Sequence, residues 1–463
     1  MASRGAKSKT GTAGGRGRGP TPALPTLAVN GGKKTITGFE GKGRPGVGVE
    51  EFLSLADAFG YSLQTRQKMR QLLAKERGNR SPQLARYYNP RPSKVAKLEA
   101  YARQLFGVKY ALAVNSGTSA LNCAYVASGI GPGDEVIVPA YTFFASAAAV
   151  VTAKAIPVIA EVDESLTIDP DDLERKITPR TKAVVPVHMV GNCADMDRVM
   201  AVARRHKLVV IEDNAQSCGG RYKGRLLGTI GDMGCLSISS YKIIGAGEGG
   251  LVLTNDEWLD IRARSQHDTA ACWRPDRYAK ERRPGELFCG QNYRMSELEG
   301  ATNLVQLQKT KPQARRYNRN MRRVIAGLEQ FRKTRVRRSN DPEGDVGYTV
   351  VLLAKDREAA DKIAAALNAE GLGAGARGTK AARDWHIYTY WEHILEQKTA
   401  TPEGCPFTCG FYEGPLPAYS ADMCQRSVDL LDRAVFVWVN QWWTAKDCRN
   451  VSAAINKVCG VYG

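Results

Sequence analysis

The feature that most constrains the fold is a regular alternation of short apolar runs with helix-patterned segments between residues 110 and 213. The apolar runs are continuous instead of alternating with polar residues, which is typical of strands that are covered on both faces. Strands separated by helices in this way predict an α/β fold with a mostly parallel sheet. We predict strands over residues 110–114, 135–139, 156–162, 183–188, 208–213, 235–239 and 250–253, and helices that begin at Thr118, Phe143, Asp171 and Ala194.

The remaining sequence divides into a tail and a smaller domain. Residues 1–39 are rich in glycine and proline and contain lysines and arginines but no acidic residue, so we predict a disordered basic tail. At 463 residues the chain is long enough for two domains. We assign residues 40–310 to an N-terminal segment and the large domain, and residues 311–463 to a linker helix and a small C-terminal α/β domain. Helical spacing predicts further helices over residues 49–59, 63–76, 93–106, 296–328 and 357–370, and the small domain includes a predicted strand over 347–353.

The formal net charge of +19 raises the question of a nucleic-acid partner. Charge by itself affects solubility and non-specific attraction, and does not determine the fold. Part of this charge lies in the tail, and the rest is spread over predicted helices whose solvated faces account for it. The sequence has no recognisable helix-turn-helix and no aromatic-basic RNA motif. A non-catalytic regulatory protein that binds nucleic acid through its basic surface is therefore the alternative, not the main prediction.

The cysteine pattern and the hydropathy indicate the compartment. The eleven cysteines are an odd number scattered along the chain, several of them within apolar segments, which predicts unpaired thiols in a reducing cytosol. Cys405 and Cys409 have the spacing of half a metal site, but no second pair follows, and we predict no metal. No run approaches the roughly 18 apolar residues that span a membrane, and the N-terminus lacks the apolar core of a secretory signal. We predict a cytoplasmic protein.

Three polar segments lie where predicted strands end. Ser116-Gly-Thr118 breaks a strand into a helix, Asp213 ends a buried strand, and Lys242 precedes a glycine-rich turn. Parallel strands bring such ends to one edge of the sheet. A helix N-terminus binds phosphate, a buried carboxylate holds the proton on a ring nitrogen, and a desolvated lysine supplies the neutral amine for a Schiff base. A pyridoxal 5'-phosphate site requires this set. Each segment alone also has an ordinary interpretation, as a helix cap or a solvated loop cation.

Seven short motifs between residues 116 and 297 carry a resemblance to a known family. They are Ser116-Gly-Thr, Pro139-Ala-Tyr-Thr-Phe, Glu212-Asp-Asn-Ala-Gln216, Gly231-Asp-Met-Gly, Ser237 with Lys242, Gly247-Glu-Gly-Gly250 and Asn292-Tyr-Arg-Met-Ser-Glu297. With these motifs the sequence resembles the DegT/DnrJ/EryC1/StrS family of aminotransferases, which act on sugars and cyclitols, over roughly residues 85–330. The resemblance implies a fold-type-I pyridoxal phosphate transferase with a large and a smaller C-terminal domain.

The first expected roles are those of the residues at the cofactor phosphate, at the ring nitrogen and at the reactive lysine. We expect the backbone N–H groups of Gly117 and Thr118, with the hydroxyls of Thr118 and Ser237, to bind the phosphate. Asp213 is expected to pair with the ring nitrogen. Lys242 is expected to hold the cofactor as an aldimine and then to move the substrate proton.

Three further roles are implied by the resemblance. Gln216 matches the residue that contacts the ring hydroxyl, and Phe143 matches the aromatic residue against the cofactor face, although a core position is its alternative. Asn292 is implied to reach the phosphate of the neighbouring subunit, so the resemblance implies an obligate homodimer with a shared active site.

Departures from the common family pattern concern the substrate. Val187-His-Met-Val-Gly191 replaces a frequent His-Leu-Tyr-Gly, Cys218 replaces a frequent histidine, and Gly245-Ala246 replaces a Thr-Thr pair. The predicted cofactor set is intact, so these changes leave the acceptor open. They favour a keto-cyclitol, a sugar aldehyde or a sugar other than the usual nucleotide-linked keto-hexose.

Candidate substrate contacts are His188, Tyr293 and Arg294, although a strand-end histidine satisfied by the backbone is an equally ordinary arrangement. Asp384-Trp-His-Ile-Tyr-Thr-Tyr-Trp391, with His393, forms an aromatic and histidine cluster in the small domain. This cluster suits either sugar binding or the core of that domain.

The predicted activity is amino-group transfer from glutamate or glutamine to a keto-sugar, sugar aldehyde or keto-cyclitol by a ping-pong mechanism through the Lys242 aldimine. A pyridoxal phosphate-dependent sugar dehydratase is the second alternative. A dehydrating relative in the family has histidine at the position of Lys242, so the lysine favours amino transfer.

Overall fold

The computed structural model describes residues 25–38, 46–76, 82–88, 93–269, 271–377 and 383–463. The chain separates into two compact units, Met1–Pro82 and Gln83–Gly463. The first unit contains a short 3-10 helix at Ala28–Asn30 and two α-helices, α1 (Val49–Ala58) and α2 (Leu63–Glu76), close to their predicted bounds. Most of the predicted tail lies outside the described residues. The predicted domain boundaries stay a prediction.

The second unit alternates helices and strands as the sequence pattern predicts. Its helices are α3 (Lys94–Phe106), α4 (Gly117–Ala127), α5 (Ala145–Thr152), α6 (Pro170–Arg175), α7 (Met196–His206), α8 (Glu257–His267), α9 (Glu297–Gln308), α10 (Thr310–Ala326), α11 (Arg357–Ala369), α12 (Glu392–Leu395), α13 (Gln425–Asp432) and α14 (Ala445–Tyr462). Its strands are β1 (Tyr110–Val114), β2 (Glu135–Pro139), β3 (Ile156–Ala160), β4 (Thr181–Val184), β5 (Val209–Asp213), β6 (Arg221–Tyr222), β7 (Arg225–Leu226), β8 (Met233–Ser237), β9 (Gly250–Thr254), β10 (Arg335–Val336), β11 (Thr349–Leu353), β12 (Ala374–Ala376) and β13 (Ala434–Trp438).

A seven-stranded sheet forms the centre of this unit, in the order β1-β9-β8-β5-β4-β2-β3. The five strands from β8 to β3 are parallel, whereas β9 runs antiparallel to both of its neighbours. The segment between β8 and β9 turns the chain back, and Gly247 and Gly249 in it have φ of +109° and +151°, where a side chain would be strained. The predicted mostly parallel α/β fold is therefore confirmed, and its carboxyl strand ends share one edge.

Two predicted elements differ from the observed ones. The strand predicted over residues 183–188 ends at Val184, and beyond it only Val187 forms an isolated bridge, to Asp213. The long helix predicted over residues 296–328 is two helices, α9 and α10, which meet at Lys309. In the first case, the apolar run continues past the residues that pair in the sheet. In the second case, the helical spacing of apolar residues continues across the junction between α9 and α10.

A second sheet, with the antiparallel order β10-β11-β13-β12, has its own core. Val350, Leu352 and Val437 pack with Ile363 of α11 and Ile455 of α14. These elements place a set of C-terminal side chains opposite the carboxyl edge of the large sheet.

The cysteine prediction needs one correction. Cys405 and Cys409 form a disulfide, so the prediction that the thiols are unpaired is wrong for this pair. The other nine cysteines are free, and all but Cys289 are buried. In the described part of the chain, no group of three or more metal-ligating side chains is arranged around a common point. None of the helices in that part has the length and apolarity needed to cross a membrane.

Buried Glu212 holds the end of β5 to the turn that precedes β8. Its Oε1 accepts hydrogen bonds from the backbone N–H groups of Ile230 at 2.5 Å and Gly231 at 2.7 Å. Its Oε2 accepts from the Gly228 N–H at 2.8 Å and faces His188 Nε2 at 3.0 Å. A single carboxylate therefore satisfies four donors, two of them buried and two partly buried.

We predict that Glu212→Ala lowers the free energy of unfolding by about 3 kcal/mol or more, because four buried or partly buried donors lose their acceptor. Urea unfolding followed by circular dichroism at fixed protein concentration measures this. Glu174→Ala is the control, because Glu174 forms its ion pair with Arg205 at the surface and its loss is expected to cost at most about 1 kcal/mol. Equal losses in the two variants would contradict this account of Glu212.

Candidate active site

A cavity of about 800 Å³ opens at the carboxyl edge of the parallel strands. The N-terminus of α4, the end of β5 and the segment after β8 supply one side of its lining. Side chains of the second sheet and of the segments near it supply the other side. Its lining includes Ser116, Gly117, Thr118, Phe143, Asp213, Gln216, Ser237, Lys242, Tyr317, Tyr348, Arg377, His386 and Trp438.

The N-terminus of α4 forms a close-fitting cradle. Ser116 caps the helix, and its hydroxyl accepts the N–H of Ser119 at 3.0 Å. The N–H groups of Gly117 and Thr118 belong to the first turn of the helix, which has no intrahelical acceptor for them. A Cβ added to Gly117 would lie 2.6 Å from the Cβ of Ser237. Only glycine permits the helix to approach the end of β8 so closely.

Asp213 is buried at the end of β5 and is 5% exposed. Its Oδ2 accepts a hydrogen bond from Ser146 Oγ at 2.8 Å, and its Oδ1 accepts from the Ala215 N–H at 3.1 Å. The Ser146 hydroxyl also lies 2.7 Å from Thr142 Oγ1. These contacts fix the orientation of the carboxylate and leave lone pairs for a protonated ring nitrogen.

Lys242 lies in the segment between β8 and β9 and is half-buried. Its backbone N–H donates to the Ser239 carbonyl at 2.9 Å, and its own carbonyl accepts from Gly245 at 2.9 Å. Burial lowers the pKa of the Lys242 ammonium, and the carboxylates of Asp213 and Glu248 partly oppose this shift. The lysine therefore presents a neutral amine more readily than a solvated lysine does.

Gln216 is held by two donors on its amide oxygen. The Val190 N–H donates to Oε1 at 3.2 Å, and the Tyr348 hydroxyl donates to the same atom at 3.0 Å. Both contacts fix the oxygen, so the amide nitrogen is the group that remains for a ligand acceptor. This arrangement suits the ring-hydroxyl contact that the sequence predicts.

Phe143 lines the same cavity with 45% of its surface exposed, so the structure does not give it a core position. Its ring centroid lies 5.3 Å from that of His386, with the planes at 54°. The cavity wall at this point therefore consists of one residue from the segment between β2 and α5 and one from the C-terminal region.

The sequence interpretation missed several lining residues of the C-terminal region. Arg377 is ion-paired with Asp384, whose other carboxylate oxygen lies 2.7 Å from Nδ1 of His386. Tyr348 directly precedes β11, and Trp438 is the last residue of β13. Nothing in the local sequence marks them, because the pairing of β11 with β13 places them at the cavity.

Some residues of the aromatic cluster at 384–393 lie at the candidate site, and others lie in the core. His386 lines the cavity. Tyr388 and Trp391 are fully buried in the main core, and His393 packs against Phe144 with ring centroids 5.4 Å apart. Most of the cluster is therefore core, and a single histidine faces the site.

The structure gives His188 a structural position instead of a substrate contact. The residue is fully buried, outside the cavity lining. Its Nδ1 accepts the Ala194 N–H at 3.2 Å, so Nε2 is the nitrogen that donates to Glu212. Both ring nitrogens are thus used inside the fold.

The remaining predicted contacts lie outside the cavity as one chain forms it. Arg294 is ion-paired with buried Asp268 at 2.5 Å, and half-buried Tyr293 packs against the main core. Asn292 is exposed on the surface. The roles of Asn292, Tyr293 and Arg294 in substrate or cofactor binding stay predictions.

Comparison with known proteins agrees with this geometry. Residues 87–403 match the model of the DegT/DnrJ/EryC1/StrS aminotransferase family. The chain belongs to this family. It is 45% identical over 209 residues to GDP-perosamine synthase of Caulobacter vibrioides. The aligned stretch covers 44% of this chain and 53% of that protein. The chain is 37% identical over 246 residues to the L-glutamine:2-deoxy-scyllo-inosose aminotransferase of Micromonospora echinospora, which covers 52% of this chain and 58% of that protein.

A solved structure supports the fold over most of the chain. The aminotransferase of Psychrobacter cryohalolentis superposes with a TM-score of 0.64 and 26% identity, and covers 87% of this chain and 98% of that one. The chain thus spans between half and three fifths of the two sequence relatives, whereas its fold corresponds to nearly the whole of this neighbour.

The cofactor of this family is pyridoxal 5'-phosphate, and the cavity fits it. Glycine at position 117 opens a cradle that a Cβ would fill, and buried Asp213 retains free lone pairs. Lys242 lines the same cavity. The donor set therefore combines a phosphate cradle, a carboxylate and an amine.

We predict that Gly117→Ala weakens pyridoxal phosphate binding by about tenfold or more, since the new Cβ separates the helix N-terminus from Ser237 and displaces charge-assisted hydrogen bonds. Fluorescence titration of the cofactor-free protein measures this. Gly131→Ala is the control, because its added Cβ meets no atom within 4 Å. Unchanged cofactor affinity in Gly117→Ala would show that this close contact does not form the cradle.

Proposed function

We propose that this protein is a pyridoxal phosphate-dependent aminotransferase that moves an amino group from an amino acid to a carbonyl carbon of a polyhydroxylated acceptor. The observation that carries the proposal is a half-buried lysine with a lowered pKa in the same cavity as a buried carboxylate. Family membership and the fold support it. The bound cofactor would supply an electron sink that stabilises a carbanion at the substrate carbon.

Asp213 would keep the ring nitrogen protonated, because a buried carboxylate favours the charged form of a paired base. The hydroxyl of Ser146 holds that carboxylate in one orientation. Gly117, Thr118 and Ser237 would bind the phosphate at the N-terminus of α4, where the helix dipole favours an anion.

Lys242 would act twice. Its neutral amine would hold the cofactor, and the same amine, once free, would move a proton at the substrate carbon. Burial lowers its pKa, so a larger fraction of the amine is neutral near pH 7 than for a solvated lysine. Removal of the ε-amine would abolish both steps.

Glutamine or glutamate is the proposed donor, and a keto-cyclitol, a keto-sugar or a sugar aldehyde the proposed acceptor. The relative from Micromonospora echinospora is named for glutamine and a keto-cyclitol, and that from Caulobacter vibrioides for a nucleotide-linked amino sugar. One site that accepts both donor and acceptor in turn implies a ping-pong cycle. His386, Tyr317 and Trp438 line the same cavity and are the proposed contacts for the acceptor.

The proposed assembly is a homodimer with a shared site. Asn292 is exposed, outside the cavity of its own chain, and so is accessible to a second copy. Its amide would bind the cofactor phosphate of that copy.

We predict that the purified protein with pyridoxal phosphate shows the visible absorbance band of the lysine-attached cofactor. Addition of glutamine or glutamate should move this absorbance into the near ultraviolet as the amino group transfers to the cofactor. Lys242→Ala should lack the initial lysine-attached band because it has no ε-amine. Lys446→Ala, which removes an exposed lysine outside the cavity lining, is the control and should behave like the wild type.

A protein that takes up no cofactor would contradict the proposal and direct attention to its basic surface. Loss of water from a keto-sugar without amino transfer would contradict it in favour of the dehydratase.

We predict that Asn292→Ala weakens cofactor binding by about tenfold or more, through loss of a hydrogen bond to a charged phosphate. Co-expression of Asn292→Ala and Lys242→Ala chains in equal amounts should restore about a quarter of the tight lysine-attached sites, because half of the dimers are mixed and one of their two sites is intact. The band amplitude at limiting cofactor measures this. Gln291→Ala is the matched exposed control.

Absence of any restored sites in the mixed preparation would show that Asn292 acts within its own chain or not at all.

A further inference from the structure

A second cavity, of about 330 Å³, lies apart from the lysine site between α10 and the second sheet. It is formed by α10, the β10–β11 region, the segment over residues 339–345, and Asn192. This volume corresponds to roughly ten water molecules at liquid density, which is enough for a small organic molecule. Neither the family assignment nor the proposed reaction gives this cavity a role.

The wall of this second cavity is largely apolar. Met321 and Ile325 of α10 line it together with Val336, Val350 and Val351 of the second sheet. An apolar wall with a small number of polar groups is typical of a ligand site, in which the polar groups orient the ligand.

Three polar side-chain atoms of lining residues are buried and have no partner in the described part of the chain. They are Nη1 of Arg337, Oγ1 of Thr349 and Oδ1 of Asn192. Arg337 is 8% exposed, and Thr349 and Asn192 are each 1% exposed. A buried polar atom without a partner costs about 1 to 3 kcal/mol, so these three atoms, which belong to residues that line one cavity, are candidates for contact with a ligand.

Arg337 is the decisive member. Its backbone N–H donates to the Val351 carbonyl at 2.8 Å, whereas no ion pair within 4 Å joins its guanidinium to a carboxylate among the described residues. Asp345, which also lines the cavity, compensates the charge only from a distance. A buried cation without a contacting anion is expensive unless a ligand supplies the negative charge.

Asp345 is already engaged by other groups. Its Oδ1 accepts the Cys193 N–H at 2.9 Å, and its Oδ2 accepts the Ser339 hydroxyl at 2.5 Å. The second cation at the cavity, Arg322, is paired with Glu343 at 3.1 Å on the surface. The free capacity of the cavity is therefore one cationic donor, one hydroxyl and one amide oxygen.

We propose that this cavity binds a small organic carboxylate that also carries a hydroxyl group on a short aliphatic chain. Arg337 and Thr349 would donate to the carboxylate, and the Asn192 amide oxygen would accept from the ligand hydroxyl. Met321, Ile325 and Val336 would cover the aliphatic part. The site does not depend on the proposed aminotransferase activity.

The test is calorimetric titration of the full-length protein, saturated with pyridoxal phosphate, with 3-hydroxybutyrate. The neutral analogue 1,3-butanediol and inorganic phosphate are titrated alongside. We expect saturable binding of one 3-hydroxybutyrate per chain and none of the diol. Arg337→Met should weaken binding by about tenfold or more, because it removes a hydrogen bond to a charged group.

The controls separate this cavity from the lysine site and from general effects of charge. Arg335→Met removes an exposed arginine two residues before Arg337, and His386→Ala alters the active-site cavity; both should bind 3-hydroxybutyrate like the wild type. Thr349→Val, which is nearly isosteric, should weaken binding several-fold and serves if Arg337→Met does not fold.

Three outcomes would overturn the proposal. They are no saturable binding of 3-hydroxybutyrate, equal affinity in the wild type and in Arg337→Met or Thr349→Val, and loss of binding in His386→Ala. Binding of inorganic phosphate alone would overturn the assignment to a carboxylate. Because cofactor uptake is followed separately by absorbance, failure of this site and failure of the proposed reaction are distinguishable.

Discussion

The buried carboxylate of Glu212 is the interaction on which the active-site edge of the large sheet depends. It accepts hydrogen bonds from three backbone N–H groups of the turn at residues 228–231 and from the ring of His188. The next residue, Asp213, faces the cavity. Two successive carboxylates at one strand end therefore have different tasks, since one fixes the scaffold and the other presents charge to a ligand. The alternation of side chains along a strand makes this division possible.

The geometry of the same edge explains why the segment between β8 and β9 contains both Lys242 and several glycines. The close approach of Gly117 to Ser237 brings the N-terminus of α4 against the end of β8. The chain then reverses over residues 238–249 to enter β9, and positive φ at Gly247 and Gly249 permits the turn. Lys242 lies inside that reversal, where burial lowers its pKa. The geometry that closes the sheet also desolvates the amine.

The local sequence pattern predicted the parallel sheet. It also predicted that Thr118, Asp213 and Lys242 lie at one edge of this sheet, because strand ends of a parallel sheet coincide whatever the connecting helices contain. It did not identify Tyr348, Arg377 or Trp438, whose positions depend on the pairing of β11, β12 and β13. His188 shows the opposite limit. Its position at the end of an apolar run suggested either a substrate contact or a histidine satisfied by the backbone, whereas tertiary packing places both ring nitrogens in buried hydrogen bonds, one of them to the Glu212 carboxylate. Long-range contacts, which a local pattern does not encode, decide both cases.

The segment over residues 345–349 connects the two cavities. Thr349 lines the second cavity, and the adjacent Tyr348 lines the first and donates to Gln216 at 3.0 Å. The segment has little freedom, because the Val346 N–H donates to the Gly191 carbonyl at 2.8 Å and Gly347, with φ of +75°, packs against Met321. The peptide bond between Tyr348 and Thr349 therefore joins a residue that holds the active-site amide to one that lines the second cavity.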